Sequence, residues 1–253
     1  MHPSLVTQDL TVRFGGHVAV NAVSCAFSPG QLTAIVGPNG AGKTTYFNLI
    51  SGQIRATSGR VELLGQDVTR LSVSGRTHAG LGRAFQLTNL FPRLTVLENV
   101  RLVVQARARR GFNLWSMAQS HRDLTEAAEA VLDRVRLTAL AHQTVSALSH
   151  GDQRKLEVAA MIALQPRVYM FDEPTAGMSV EEAPVILDLI AGIKADPQAT
   201  VLLVEHKMDV IRSLADRIIV LHNGALVADG EPGAVMASAV VQEAYLGKDL
   251  ADV

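Results

Sequence analysis

The sequence predicts an α/β protein, a parallel sheet with helices on both faces, interrupted by a mostly helical insertion. Three observations carry this. Short apolar runs at Leu32–Val36, Val168–Phe171 and Val201–Val204 have the length and make-up of buried parallel strands. A helical stretch follows each of them, at Lys43–Ser51, Val180–Lys194 and Met208–Ala215, and such alternation is what parallel crossover connections need. Between Leu94 and Leu164 the apolar spacing becomes helical instead.

In chain order, Leu10, Val12 and Phe14 alternate along a strand at Leu5–Phe14, and Gly15-Gly16 turns the chain into a second strand at His17–Phe27. Ser28-Pro29-Gly30 makes the next turn, ahead of Leu32–Val36. A glycine-rich loop and the helix Lys43–Ser51 follow, then a Ser58-Gly59 turn and a strand at Arg60–Leu64. In the middle third, Leu124, Ala128, Val131, Leu132 and Val135 share one helix face, while Glu126, Glu129, Asp133 and Arg134 point away. Near the end, Ile218–Leu221 and Leu226–Ala228 flank Asn223-Gly224. The expected division is one domain over 1–253, with an α/β lobe from 1–86 and 165–253 and a helical subdomain at 87–164.

Composition narrows the function. The 253 residues are 48% apolar, with 23 Lys and Arg against 24 Asp and Glu, a formal charge of −1. That balance disfavours broad nucleic-acid binding, which depends on cations neutralising phosphates. A single cysteine, Cys25, excludes an intrachain disulfide and reads as a small buried hydrophobe. No apolar run has bilayer-spanning length, and MHPSLVTQDL has no secretory-signal pattern, so neither a membrane span nor export is expected.

Gly37-Pro38-Asn39-Gly40-Ala41-Gly42-Lys43-Thr44 fits G-x-x-x-x-G-K-[ST], directly after a strand and opening a helix. Glycines let backbone N–H groups turn toward a β-phosphate, and the helix directs its positive end at the same anion. Lys43 supplies a cation for the β- and γ-phosphates, Thr44 a hydroxyl for Mg²⁺, and Thr45 beside them is a further candidate for nucleotide binding. The strand Val168–Phe171 ends in adjacent carboxylates, Asp172 and Glu173, where a P-loop nucleotidase needs one acid for Mg²⁺ and one for water.

Four more stretches make the chain resemble an ATP-binding-cassette (ABC) transporter ATPase. Phe85-Gln86 matches the family's Q-loop and Leu148-Ser149-His150-Gly151-Asp152 its signature loop. Ala176-Gly177-Met178-Ser179 stands at the D-loop and Val204-Glu205-His206 at the switch histidine. The resemblance runs from Leu5 to Tyr245-Leu246-Gly247. It implies a RecA-like parallel-sheet core with an N-terminal antiparallel β subdomain and an inserted helical subdomain. It also implies ATP and Mg²⁺ as ligands and two cassettes closing head to tail around two ATP molecules. On that pattern Glu173 is the general base and His206 holds the γ-phosphate. Gln86 contacts Mg²⁺ or water, while Ser149 and the N–H groups around Gly151 bind the γ-phosphate held by a partner's Lys43. Phe14 matches the adenine-stacking aromatic, or is simply core. The sequence departs from the pattern at His150 and Asp152 in the signature loop and at Ser179 in the D-loop.

Within that family, Gly82–Val100 (GRAFQLTNLFPRLTVLENV), GDQRKLEVA from Gly151, EAYLG from Glu243 and RRGFNLW from Arg109 most resemble ATPases of bacterial branched-chain amino-acid importers. The resemblance implies transmembrane permease subunits, a second ATPase subunit and, indirectly, a periplasmic solute-binding protein as partners, with the chain peripheral on the cytoplasmic face of the inner membrane. Docking would use roughly 87–110, where Leu90, Phe91 and Leu94 are apolar and Arg101, Arg107, Arg109 and Arg110 form a basic cluster; a solvated helix face is the alternative. A lipid-exporter motor and a non-transport cassette remain as other readings.

Overall fold

The structure, a computed structural model, describes residues 2–84, 90–108, 117–179 and 181–246. In chain order the elements are β1 (Leu5–Phe14), β2 (His17–Phe27), β3 (Gln31–Val36), α1 (Lys43–Ser51), β4 (Ser58–Leu63), β5 (Gln66–Asp67), α2 (Val73–His78) and β6 (Leu81–Ala84). Then come α3 (Val96–Arg107), α4 (Met117–Arg134), α5 (His150–Leu164), β7 (Val168–Asp172), α6 (Ala183–Lys194) and β8 (Thr200–Val204). The chain ends with α7 (Met208–Leu214), β9 (Arg217–His222), β10 (Ala225–Gly230), α8 (Pro232–Met236) and α9 (Ala239–Leu246).

The first of two compact units comprises Met1–Arg83, Arg167–Glu173 and Lys194–Val253. It holds a four-stranded sheet, β2-β1-β4-β5, whose neighbours are antiparallel. A six-stranded sheet runs β10-β9-β3-β8-β7-β6, with β9, β3, β8 and β7 mutually parallel. Its end departs from the all-parallel expectation, because β10 returns antiparallel to β9. The reason is local: Asn223 and Gly224 both adopt positive φ (49° and 77°), the geometry of a tight two-residue hairpin.

Strand alternation sends two sets of side chains to opposite faces of this sheet. On one face Ile35, Met170, Leu202 and Ile219 pack with Tyr46, Phe47 and Ile50 of α1 and with Leu5, Val23 and Phe27 of the antiparallel sheet. On the other, Ala34, Val36, Ile218 and Val220 meet Ile211 of α7, Val235 of α8 and Val241 of α9. The parallel sheet is thus covered on both faces. Cys25 is buried in the first of these cores, as its composition suggested.

A charged residue completes the C-terminal end of α1. Arg76 on α2 is 2% exposed and donates to the carbonyls of Leu49 and Ile50, at 2.6 Å each, and of Thr69 at 2.8 Å. A cation suits the negative end of a helix and its last carbonyls. We expect Arg76→Met to destabilise the protein by about 3 kcal/mol, because two buried carbonyls and one partly buried carbonyl lose their donor, and so to lower Tm by roughly 6–12 °C. A thermal melt unchanged within 2 °C would show that the cap carries no stability.

The second unit is Ala84–Pro166 with Pro174–Ile193. Its core follows the predicted helical face: Leu124, Ala128, Leu132 and Val135 are buried, and Glu126, Glu129, Asp133 and Arg134 are exposed. Thr95 and Glu98 close a capping box at the start of α3. The segment after Glu173 groups here rather than with the α/β lobe to which the sequence division gave it. Packing supplies the reason: the Glu182 carboxylate lies directly against Gly151 at the start of α5. Phe91 is 54% exposed, Leu90, Leu94 and Arg101 are half-buried, and Arg107 is exposed. Arg109, Arg110 and the remainder of RRGFNLW lie outside the described residues, as does Gly247.

Candidate functional site

The strand order explains how distant motifs meet. In the first unit β3, β8, β7 and β6 are successive neighbours. Pairing sets Val204 opposite both Ile35 and Asp172, so the carboxyl ends of β3, β8 and β7 are level. Beyond those ends come the phosphate loop, Glu205-His206 and Asp172-Glu173, with Arg83 near the end of β6. Open parallel sheets bind ligands at this edge.

The loop 37–44 has the backbone its motif requires. Gly37 and Gly42 take φ of 148° and 96°, and a Cβ would lie 2.1 Å from the Leu221 carbonyl oxygen at the first and 2.5 Å from that of Ala19 at the second. Both positions therefore admit only glycine. Gly42 is also the N-cap of α1, so no side chain at that position accepts from the helix's first turn, which suits an incoming anion. Lys43 is 6% exposed and its Nζ donates to the carbonyls of Gly37 (2.6 Å) and Pro38 (2.9 Å). Those bonds arch the lysine back over the loop. Asn39 and Gly40 are exposed, Pro38, Thr44 and Thr45 half-buried, and Ala41 buried.

Asp172 and Glu173 are neighbours in sequence with different surroundings. Asp172 is buried, and its Oδ2 accepts from Arg83 Nη2 at 2.8 Å. Burial pushes its carboxyl above the ordinary value, while the Arg83 guanidinium pulls the other way. Glu173 adopts φ of 49°, a left-handed conformation that is strained for a side-chain-bearing residue. Its N–H donates to the Val204 carbonyl at 2.9 Å, and its Oε1 lies 2.7 Å from His206 Nε2. The result is a partly exposed carboxylate–imidazole pair at the sheet edge, an arrangement able to orient and deprotonate a water.

In the second unit Ser149 is exposed and caps α5, its Oγ accepting from Asp152 N–H at 3.1 Å and donating to Asp152 Oδ2 at 2.8 Å. Burial works to raise the Asp152 carboxyl, but hydrogen bonds from Lys155 and Ser149 outweigh it and hold the group below its usual range. Asp152 thus serves as part of the helix cap. Gly151 is buried, and a Cβ there would lie 2.2 Å from Glu182 Oε1. Ser179 and Glu182 bond reciprocally, Ser179 N–H to the carboxylate and Glu182 N–H to the hydroxyl, so Ser179 begins a capping box.

Phe14 is 51% exposed beside the β1–β2 turn, which removes the core alternative for it. Gln86 lies outside the described residues. Sequence reasoning missed Arg83 and Glu182. For Arg83 a signal existed, a charge within the otherwise buried strand Leu81–Ala84; for Glu182 there was none.

The donor chemistry fits a phosphate ligand and a hard cation: a glycine-built anion cradle with one lysine, one hydroxyl at Thr44 and one carboxylate at Asp172. Magnesium characteristically takes one or two protein oxygens and completes its shell with phosphate and water. Among the described residues no group of three or more His, Cys, Asp or Glu is arranged to hold a metal ion by itself. No helix among them is long and apolar enough to cross a membrane.

Comparison with known proteins gives the family. Residues 20–176 match the family described as ABC transporter. The chain is 37% identical to the high-affinity branched-chain amino acid transport ATP-binding protein BraF of Pseudomonas aeruginosa, across 97% of this chain and 98% of that protein. It is 34% identical to LivG of Escherichia coli, a protein of the same description, over the same shares. Among solved structures, the ADP conformation of the ATP-binding cassette MJ1267 superposes with a TM-score of 0.83 at 28% identity, covering 98% of this chain and all of that one. A dimeric post-hydrolysis cassette bound to ADP and Pi, MJ0796, gives 0.76 at 25% identity, covering 90% of this chain and 98% of that one. The chain therefore belongs to the ABC transporter family, as one of its ATP-binding, ATP-hydrolysing cassettes.

Proposed function

We propose that this cassette powers a bacterial importer for branched-chain amino acids or related small solutes. The observation that carries the proposal is end-to-end similarity to BraF, 37% identical across 97% of the chain. On this reading the chain sits peripherally on the cytoplasmic face of the inner membrane. There it is held by permease subunits, paired with a second ATPase and served indirectly by a periplasmic solute-binding protein.

The site residues take the following parts. The loop Gly37–Thr45, with Lys43, binds the phosphates of ATP, and Phe14 packs on the adenine. Thr44 and Asp172 would hold Mg²⁺, which when bound would offset the negative charge of the phosphates. Glu173 takes the proton of the attacking water. His206 holds the Glu173 carboxylate and, on giving up that bond, takes the γ-phosphate. Gln86 is assigned by resemblance alone to Mg²⁺ or water. The exposed Ser149 and the N–H groups around Gly151 meet the γ-phosphate bound by a second cassette, so each ATP lies between two chains. Ser149 turns its hydroxyl from Asp152 to do so.

Deleting the gene tests the transport reading directly. Uptake of radiolabelled leucine, isoleucine and valine at low external concentration should fall at least about tenfold and return with the wild-type gene, but not with a Lys43→Ala copy. Unchanged uptake of amino acids, amides and urea together with loss of outer-membrane lipid would replace the importer with a lipid exporter.

A further inference from the structure

Strand β6 is buried at Leu81, Gly82 and Ala84, yet Arg83 stands among them. A guanidinium there requires several acceptors at once. Among the described residues these include Asp172 Oδ2 at 2.8 Å, Asn48 Oδ1 at 2.7 Å, Ser51 Oγ at 2.8 Å and Gln53 Oε1 at 3.0 Å. It also lies over the Phe47 ring, 5.4 Å from the centroid. Asn48 and Ser51 are on α1, the helix opened by the phosphate loop, and Gln53 follows it closely. The side chains of Arg83 and Asp172 are only 7% and 4% exposed, so solvent does little to screen the pair.

We propose that Arg83 is a positioning residue that ties Asp172 to α1 and limits how tightly this carboxylate takes a divalent cation. The inference rests on the reading of Asp172 as the Mg²⁺ carboxylate and goes beyond it. Two consequences follow from one contact. The guanidinium fixes the orientation of the carboxylate through Oδ2 and leaves Oδ1 for a cation. Its charge also repels that cation across a poorly solvated gap, so metal affinity stays lower than a lone buried Asp would give. A purely structural clamp would produce the first effect without the second. Arg83 also stands three residues before Gln86, so the chain enters that segment from a residue fixed to both the phosphate-loop helix and the acidic strand end.

The test is a Mn²⁺ titration of the full chain in the presence of ADP, read by electron paramagnetic resonance. Arg83→Gln keeps a donor for Asp172 and removes the charge; it should bind Mn²⁺ about tenfold tighter than wild type. Arg83→Lys keeps the charge and loses the fork of donors; it should stay within about twofold of wild type. ADP affinity in EDTA should be the same for all three. Wild-type or weaker Mn²⁺ affinity in Arg83→Gln overturns the proposal. Asp172→Asn separates the two readings. If it weakens Mn²⁺ binding while Arg83→Gln changes nothing, only the Arg83 proposal fails; if it leaves Mn²⁺ binding intact, the Asp172 reading fails and takes this one with it. Should Arg83→Gln not fold, the wild type still decides. Arg83 Nη resonances, assigned by comparison with Arg83→Lys, should shift when Mg²⁺ joins the ADP complex, and unmoved resonances overturn the proposal.

Discussion

Glu173→Gln is expected to bind ATP as wild type does while turnover falls about a thousandfold, within the range by which a positioned general base accelerates proton transfer. The substitution suits the site. Glutamine keeps the side-chain volume and can still bond His206 Nε2, and the backbone N–H to Val204 is untouched. What disappears is the oxygen basicity that takes a proton from water. Because binding survives and hydrolysis does not, the variant should accumulate as an ATP-bound dimer, visible as a doubling of mass on size-exclusion chromatography with light scattering. Turnover at the wild-type rate would remove Glu173 from the role of base and leave the strained backbone at φ 49° to be explained otherwise.

Lys43→Ala is expected to weaken ATP binding at least about a hundredfold, since on the proposed reading this cation makes charge-assisted bonds to the phosphates that water does not replace. Lys43 also bonds the carbonyls of Gly37 and Pro38, so the loop itself loses a brace. A thermal melt therefore belongs beside the nucleotide titration. A variant that melts like wild type and does not bind ATP locates the effect in phosphate recognition. Unchanged nucleotide affinity would count against the phosphate-loop reading.

How much of the site could be read beforehand depends on the distance in sequence over which each part is made. The loop 37–44 was legible in full, because glycine conformations, the helix start and the lysine are all specified within eight residues. Asp172 and Glu173 were legible as a strand ending in acids, but nothing local distinguishes the buried carboxylate from the one paired with an imidazole. That difference arises from Arg83, 89 residues before Asp172, and from His206, 33 residues after Glu173. The sequence marks Asp152 and Ser179 as departures from the family pattern without showing what they do instead. In the structure Asp152 and Ser179 are capping residues, each closing the hydrogen bonds of its own segment. The antiparallel β9–β10 hairpin was foreshadowed by Asn223-Gly224, whereas α2, at six residues, is too short to display a helical period.

The sequence by itself determined the α/β class, the phosphate loop and the order of the motifs. These follow from periodicity and backbone preference, which act over a few residues. Only the tertiary structure decided that four strand ends stand side by side, that Arg83 shares Asp172, that Arg76 caps the phosphate-loop helix and that Glu182 lies against Gly151. The physical reason is that a buried charge takes its partners from whatever strand or helix the packing brings within hydrogen-bond reach, and one-dimensional spacing does not encode that proximity.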